Sequence, residues 1–206
     1  TLNPRADAIV PNTTIVGVGA DGSFSLYNER SDVHITADIM GYFRESGTSA
    51  SSELGRMMAL SPSRILDTRS DVGAAASRVR GGDTMTLPVL GRGGVPASGV
   101  DAVVVNLLSI NPTEDGWVTA WPTGADKPAT ASLSFRAGRV IPNLTVCKVG
   151  ADGSIQLEAS SGRVDLVADV VGCFTSSGSR LAPVAPSRLL DTRDGTGAEP
   201  ARVGPG

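Results

Sequence analysis

The sequence is poor in the residues that enzyme and metal sites most often need. Its 206 residues include one histidine and two cysteines, and aromatic residues make up only 4% of the chain. Zinc binding by paired cysteines and catalysis that depends on histidine therefore have little support, and we expect no metal and no cofactor. The net charge of −3 argues against a nucleic-acid partner, because phosphate binding needs a cationic surface. No window has the apolar length of a membrane span, and residue 1 does not open a signal peptide.

Glycine and proline, by contrast, are abundant, with 25 and 13 copies in a chain that is 40% hydrophobic. This mixture favours short strands joined by turns over long helices. Within the central part of the chain, strand-like apolar runs follow one another every 8–15 residues. Such spacing predicts an all-β fold made of sandwich-like units. The predicted strands cover roughly 63–69, 84–90, 102–111, 117–122, 131–136, 142–149, 154–159 and 164–173.

An internal repeat organises the chain. Residues 1–43 align without a gap on residues 132–174, with 18 identities in 43 positions at an offset of 131. A second match joins the segment Ser63–Arg69 to Ser187–Arg193 at an offset of 124. The sequence thus predicts one complete and two partial repeats in tandem.

These matches divide the chain into four parts. We assign 1–43 to the second half of a repeat, 44–60 to a linker, 61–174 to a complete sandwich-like repeat and 181–206 to the start of a third. The strands of 1–43 lack the strands that would precede them, so their edges are open unless something covers them. We predict that they pair with the 181–206 segment, with the central unit or with a neighbouring subunit.

Several motifs carry a family resemblance. The chain contains Ser-Arg-x-Leu-Asp-Thr-Arg at 187–193, Gly-Arg-Gly-Gly-Val-Pro at 91–96, Gly-Ala-Asp-Gly-Ser at 150–154 and Ala-Asp-x-x-Gly-x-Phe at 168–174. In these motifs it resembles a β-repeat common in secreted and cell-surface actinobacterial proteins. The resemblance implies an extracytoplasmic β-rich module, secreted or on the cell surface, often beside hydrolase or anchoring domains. It implies no catalytic residues.

Two cysteines depart from the repeat. Cys147 and Cys173 stand in predicted strands of the complete repeat, where the equivalent positions of 1–43 carry Val16 and Tyr42. A pair that is present together in one repeat and absent together from the other predicts a disulfide, which would also indicate an oxidising compartment. The alternative is two buried free thiols.

The motif Arg-x-x-Asp-Thr-Arg is the most distinctive group of charged residues in the sequence. In an extended strand Asp67 and Arg69 share one face, and Arg64 lies opposite unless the backbone bulges. One interpretation is a recurring ligand site, for example for an acidic sugar, with Arg64 and Arg69 as forked donors. The interpretation we favour is an internal ion-pair network, because the motif recurs with the framework. Asp38 and Asp169, at equivalent strand positions, are expected to have structural roles, and the lone histidine, His34, is expected to face solvent.

Two tryptophans form the other candidate site. Trp117, Thr119 and Trp121 alternate along one predicted strand, so their side chains project from the same face. Two indoles in register could stack on sugar rings, or they could pack into the sandwich or against a neighbouring unit.

The leading functional hypothesis is a non-enzymatic extracellular module with a structural, adhesive or assembly role. The alternative is a lectin-like glycan-binding module that uses an exposed Trp pair, with Arg64 or Arg69 contacting acidic groups, as an accessory to a secreted hydrolase. The expected partners are a cell-surface glycan or another protein, including self-association through exposed strand edges. Nucleic acid and membrane insertion are not expected.

Overall fold

The protein is all-β. The computed structural model describes residues 12–45, 56–129, 131–175 and 179–206, and this part of the chain contains strands and turns but no helix. All of the ladders within its units are antiparallel. The strands are β1 (Thr36–Glu45), β2 (Arg56–Asp67), β3 (Val79–Arg80), β4 (Thr84–Pro88), β5 (Val100–Ile110), β6 (Gly116–Pro122), β7 (Leu133–Phe135), β8 (Val140–Lys148), β9 (Ser154–Ala159), β10 (Arg163–Thr175) and β11 (Ser179–Asp191).

The chain divides into two compact units. Unit 1 consists of Thr1–Ile15 and Ser51–Gly178, and unit 2 consists of Val16–Ala50 and Ser179–Gly206. Unit 2 is therefore built from two segments that lie far apart in the sequence. Strand residues reach into both ends of the predicted linker, because β1 continues to Glu45 and β2 begins at Arg56. Pairing explains this extension, since Arg56 lies opposite Thr175 on β10.

Unit 1 is a two-sheet sandwich. Its first sheet has the strand order β2–β10–β5–β8, with β3 paired to one end of β10, and its second sheet has the order β4–β9–β6–β7. Alternating apolar residues from both sheets meet in one core, as Val103, Val105 and Leu107 of β5 illustrate. The second sheet contributes Leu87, Val118, Leu133, Phe135, Ile155, Leu157 and Ala159.

A bulge in β2 brings the arginine and aspartate side chains of the Arg-x-x-Asp-Thr-Arg motif to one side of the strand. Leu66 lies opposite Ala168, but the next pair joins Arg64 to Asp169, so β2 has one extra residue, Ile65, at this point. Ile65 and Leu66 both point into the core as a result. The bulge rotates Arg64 relative to a regular strand, which brings it to the same side as Asp67.

Unit 2 repeats this strand pair. β1 pairs with β11 with Thr36 opposite Asp191 and Asp38 opposite Arg188, and each pair corresponds to one between β10 and β2 at the sequence offsets of the repeat. The register shifts also fall at equivalent positions. Of the partners predicted for the open strands of 1–43, the one found for β1 is therefore the 181–206 segment; residues 1–11 lie outside the described part of the chain.

Candidate functional site

The arginine motif forms a closed ion-pair network in unit 1. The side chain of Asp67 is buried, and its two carboxylate oxygens accept hydrogen bonds from Arg69 Nε at 2.9 Å and Arg69 Nη2 at 2.7 Å. The backbone N–H of Arg69 donates to the same carboxylate at 3.0 Å. Arg64 donates one hydrogen bond to Asp67 at 3.3 Å and two to the carboxylate of Asp169, from Nε at 2.8 Å and from Nη2 at 3.2 Å. Both guanidinium groups are thus engaged by carboxylates of their own sheet.

Unit 2 contains the same network. Arg193 donates to Asp191 through Nε at 2.9 Å and Nη2 at 2.6 Å. Arg188 joins Asp191 to Asp38, again through two hydrogen bonds to the second carboxylate. The internal ion-pair network predicted for the motif is present in both units, and Asp38 and Asp169 take part in it.

The network lowers the pKa of its buried carboxyl groups. Hydrogen bonds from Arg69 lower the pKa of Asp67 to about 2, against the opposing effect of burial. Hydrogen bonds from Arg193 likewise lower the pKa of Asp191. Both carboxylates therefore remain ionised and acceptor-only at neutral pH, which suits an anchor for cations and does not suit a proton donor.

A threonine hydroxyl in each motif ties it to the neighbouring strand. Thr68 Oγ1 accepts from the backbone N–H of Leu166 at 3.0 Å, and Thr192 Oγ1 accepts from that of Ile35 at 3.0 Å. The side chain next to the hydroxyl differs between the units: Asp165 in unit 1 and His34 in unit 2. His34 is exposed, as predicted.

The predicted disulfide is wrong. Cys147 and Cys173 are both buried and both free. Cys147 on β8 and Cys173 on β10 each lie opposite Val103, so β5 runs between them. Strands two positions apart are separated by about 9–10 Å, well beyond the roughly 7 Å that Cα atoms of a disulfide allow. The alternative, two buried thiols, is what the structure contains, and burial raises the pKa of Cys147 to about 11.

The exposed tryptophan pair is also wrong in part. Trp117, Thr119 and Trp121 do lie on the face of β6 away from the core, because Val118 and Ala120 point inward. Trp117 is 48% exposed, but Trp121 is only 4% exposed. Only the indole of Trp117 is therefore available for stacking on a sugar ring, and the indole of Trp121 is not.

The loop after β6 lies beside Trp117 and Thr119. It folds back over the outer face of the second sheet, where Lys127 forms an ion pair with Glu158, the residue opposite Thr119. Thr119 is almost fully buried beneath it. Beside the loop lies a depression of about 390 Å³, lined mainly by apolar atoms; its residues are Trp117, Thr119, Lys127, Pro128, Ala129 and Ala131. Sequence reasoning missed the loop residues, because they belong to no strand and carry no periodic pattern.

The structure does not bring the predicted binding residues together. Arg64 and Arg69 belong to the first sheet and the Trp117 depression to the second. Asp169, which Arg64 contacts, alternates with core residues and so points away from the core, as Trp117 does on the other sheet. The outer faces of a sandwich look in opposite directions, so one small ligand cannot span both.

Within the described ranges no three metal-ligating side chains converge, and no helix there has the length and apolarity to cross a membrane. Searches among protein-family models, curated proteins and solved structures find no match to this chain.

Proposed function

We propose that this chain is a non-enzymatic structural and assembly module, secreted or displayed at a cell surface, whose β repeats hold a shape and present strand surfaces. The observation that carries the proposal is the arginine–aspartate network. It recurs in both units at equivalent positions, and its cations are satisfied by carboxylates of the same sheet. A ligand site for acidic groups would need to present those cations unpaired, since a paired guanidinium has few free donors.

The test separates a structural network from a ligand site. Arg64→Met and Asp169→Asn are each expected to lower the free energy of unfolding by about 1–2 kcal/mol, because the pair is half-exposed but bidentate. The double variant should cost less than the sum of the two, because both substitutions remove the same interaction. Arg136→Met serves as the control, as Arg136 is exposed.

Two results would overturn the proposal. One is binding of acidic oligosaccharides that Arg64→Met abolishes while leaving the unfolding transition unchanged. The other is a glycoside hydrolase activity that Asp169→Asn removes while the fold is retained.

A second candidate function, glycan binding, is favoured by the exposed indole of Trp117 and the apolar depression next to it. A sugar ring could stack on this indole, with Lys127 at the border of the depression. The chain has only two tryptophans, so Trp121→Phe leaves Trp117 as the sole indole fluorophore. Under this proposal a glycan identified on an array quenches that emission, and Trp117→Ala weakens binding by about tenfold, or ~1.4 kcal/mol. Array binding that survives Trp117→Ala would refute it.

A further inference from the structure

Beyond the strand pair of β1 and β11, backbone contacts of the complete repeat recur in unit 2 as far as Gly206. The bridge between Val33 and Val203 corresponds to the pair formed by Val164 and Val79. Gly206 N donates to the carbonyl of Asn28 at 3.0 Å, as the equivalent Gly82 N donates to Ala159 at 2.8 Å. Unit 2 is therefore built on the same plan as unit 1, and unit 1 shows what belongs at each position.

Apart from Tyr27, whose counterpart is Glu158, the large apolar residues exposed in the described part of unit 2 are counterparts of core residues in unit 1. Tyr42 is 48% exposed, whereas its counterpart Cys173 is 0% exposed. Leu26 is 47% exposed, and its counterpart Leu157 is 0% exposed. The same contrast holds for Val16 and Cys147, Val18 and Val149, Phe24 and Ile155, and Leu189 and Ile65.

We call the exposed apolar residues of unit 2 named above its apolar layer. In unit 1 the counterparts of this layer are covered by one continuous stretch of chain. The edge of β10 that faces away from β2 pairs with β5, from Val100 opposite Thr175 to Ile110 opposite Asp165. The core face is closed by the second sheet, to which β4, β6 and β7 contribute Leu87, Val118 and Phe135. All four of these strands lie between residues 84 and 135.

Unit 2 has no counterpart of this stretch among its described residues. β1 pairs with β11 along one edge, and no described strand occupies its other edge. The residues equivalent to β9, Ser23–Asn28, are not in a strand, which fits the absence of the β4 and β6 equivalents that flank β9 in unit 1.

We infer that unit 2 is an acceptor for a donor segment of the same repeat type, equivalent to residues 83–139, which adds a β5-like strand to the open edge of β1 and covers the exposed apolar layer. The inference rests on the proposed assembly function and names its partner. The donor contains a largely apolar strand like β5, whose central residues are buried on both faces. It is not supplied by a second copy of this chain, because residues 84–135 of each copy already form the sandwich of its own unit 1.

The experiment adds a donor to the intact chain. The probe is the sequence of residues 83–139 fused to a soluble carrier, and the readout is hydrogen exchange of the amides of Thr36–Glu45. We expect exchange in β1 to slow by about tenfold or more, while unit 1 amides are unchanged. The matched control is the same donor with Val103→Asp and Val105→Asp, whose counterparts in unit 1 are fully buried, and it should have no effect.

A tethered version keeps the test decisive if the free donor is poorly folded. Because Gly206 is equivalent to Gly82, a second copy of residues 83–139 can follow Gly206 directly. The inference is overturned if neither donor slows exchange in β1. It is also overturned if the chain alone dimerises and protects Tyr42 and β1 without a donor, since a second copy is then the occupant. Neither result bears on the arginine network, whose role is measured separately by unfolding.

Discussion

A glycine four residues after the arginine motif, Gly73, offers a direct test of the motif's structural role. Beyond Arg69 the chain turns back, and Asp67 N donates to the carbonyl of Val72 at 2.9 Å. Gly73 closes this turn with a φ of +77°, and a Cβ at this position would lie 2.0 Å from the carbonyl oxygen of Ile65. The atom in the way belongs to the backbone of β2, so it cannot move aside as a flexible side chain would. Gly73→Ala must therefore displace the turn.

The expected cost has two sources. An alanine held in the left-handed region costs about 1–2 kcal/mol. Relieving a contact of 2.0 Å requires a shift of about 1 Å, which breaks the hydrogen bond from Asp67 N to Val72 and leaves a donor unsatisfied at about 1–3 kcal/mol. Gly73→Ala should thus lower the free energy of unfolding by about 2–5 kcal/mol.

The control variant is Gly138→Ala. Gly138 also has a positive φ, +66°, but a Cβ there meets nothing within 4 Å. It should show only the conformational cost of about 1–2 kcal/mol. Equal destabilisation by the two substitutions would refute the reasoning, because the backbone contact would then contribute nothing.

The fluorophores allow each unit to be followed. Both tryptophans lie in unit 1 and both tyrosines, Tyr27 and Tyr42, lie in unit 2. Gly73→Ala should lower the urea midpoint of the tryptophan signal. Gly197→Ala, whose Cβ would lie 2.1 Å from the carbonyl oxygen of Leu189 in the equivalent turn, should instead affect the tyrosine signal.

Two further outcomes follow from burial and charge. Because both thiols are buried, Cys147 and Cys173 should react with thiol reagents only after unfolding, and an intramolecular disulfide in the mass spectrum of the native chain would contradict the presence of free thiols. Cys147→Val, which introduces the residue found at the equivalent position of the other repeat, should change the free energy of unfolding by less than about 1.5 kcal/mol. The pKa of Asp67 is lowered from 3.8 to about 2 on folding, so its contribution to stability is complete above the unfolded-state value and is lost as the pH falls through the folded-state value. Asp67→Asn should therefore flatten the decline in stability between about pH 4 and pH 2, and an identical profile for variant and parent would show that the carboxylate is not coupled to folding.

The strands could be predicted because their signal is local. β5, β6, β9 and β10 fall within two residues of the predicted runs, since each is a stretch of apolar or alternating residues bounded by turn-forming ones. β3 was not predicted, because two residues, Val79 and Arg80, are too short to carry a period. Their strand character comes from pairing with β10, which is not visible in the sequence.

The two incorrect site predictions share one physical cause. The disulfide was predicted from the joint presence of Cys147 and Cys173 in one repeat, which carries no information on strand order, and β5 lies between them. Alternation placed Trp117 and Trp121 on one face of β6. Alternation does not say which residues of a face are covered by other parts of the chain, and Trp121 is 4% exposed whereas Trp117 is 48% exposed.

The comparison between the units also shows which polar contacts accompany the shared register of the two strand pairs. In unit 1 Arg78 Nε lies 3.2 Å from Asp165, while the equivalent residues of unit 2 are Arg202 and His34, which include no carboxylate and cannot form that ion pair. β1 and β11 nevertheless keep the register of β10 and β2. The pair formed by Arg78 is thus not needed for this register, and the elements present in both units are the buried aspartate, its two arginines, the second aspartate and the threonine hydroxyl. The motif that looks most like a ligand site is therefore the part of the chain whose charges are most fully engaged in its own fold. Under the proposed assembly function, the surface offered to a partner is the apolar layer of unit 2, most of whose residues have core counterparts in unit 1.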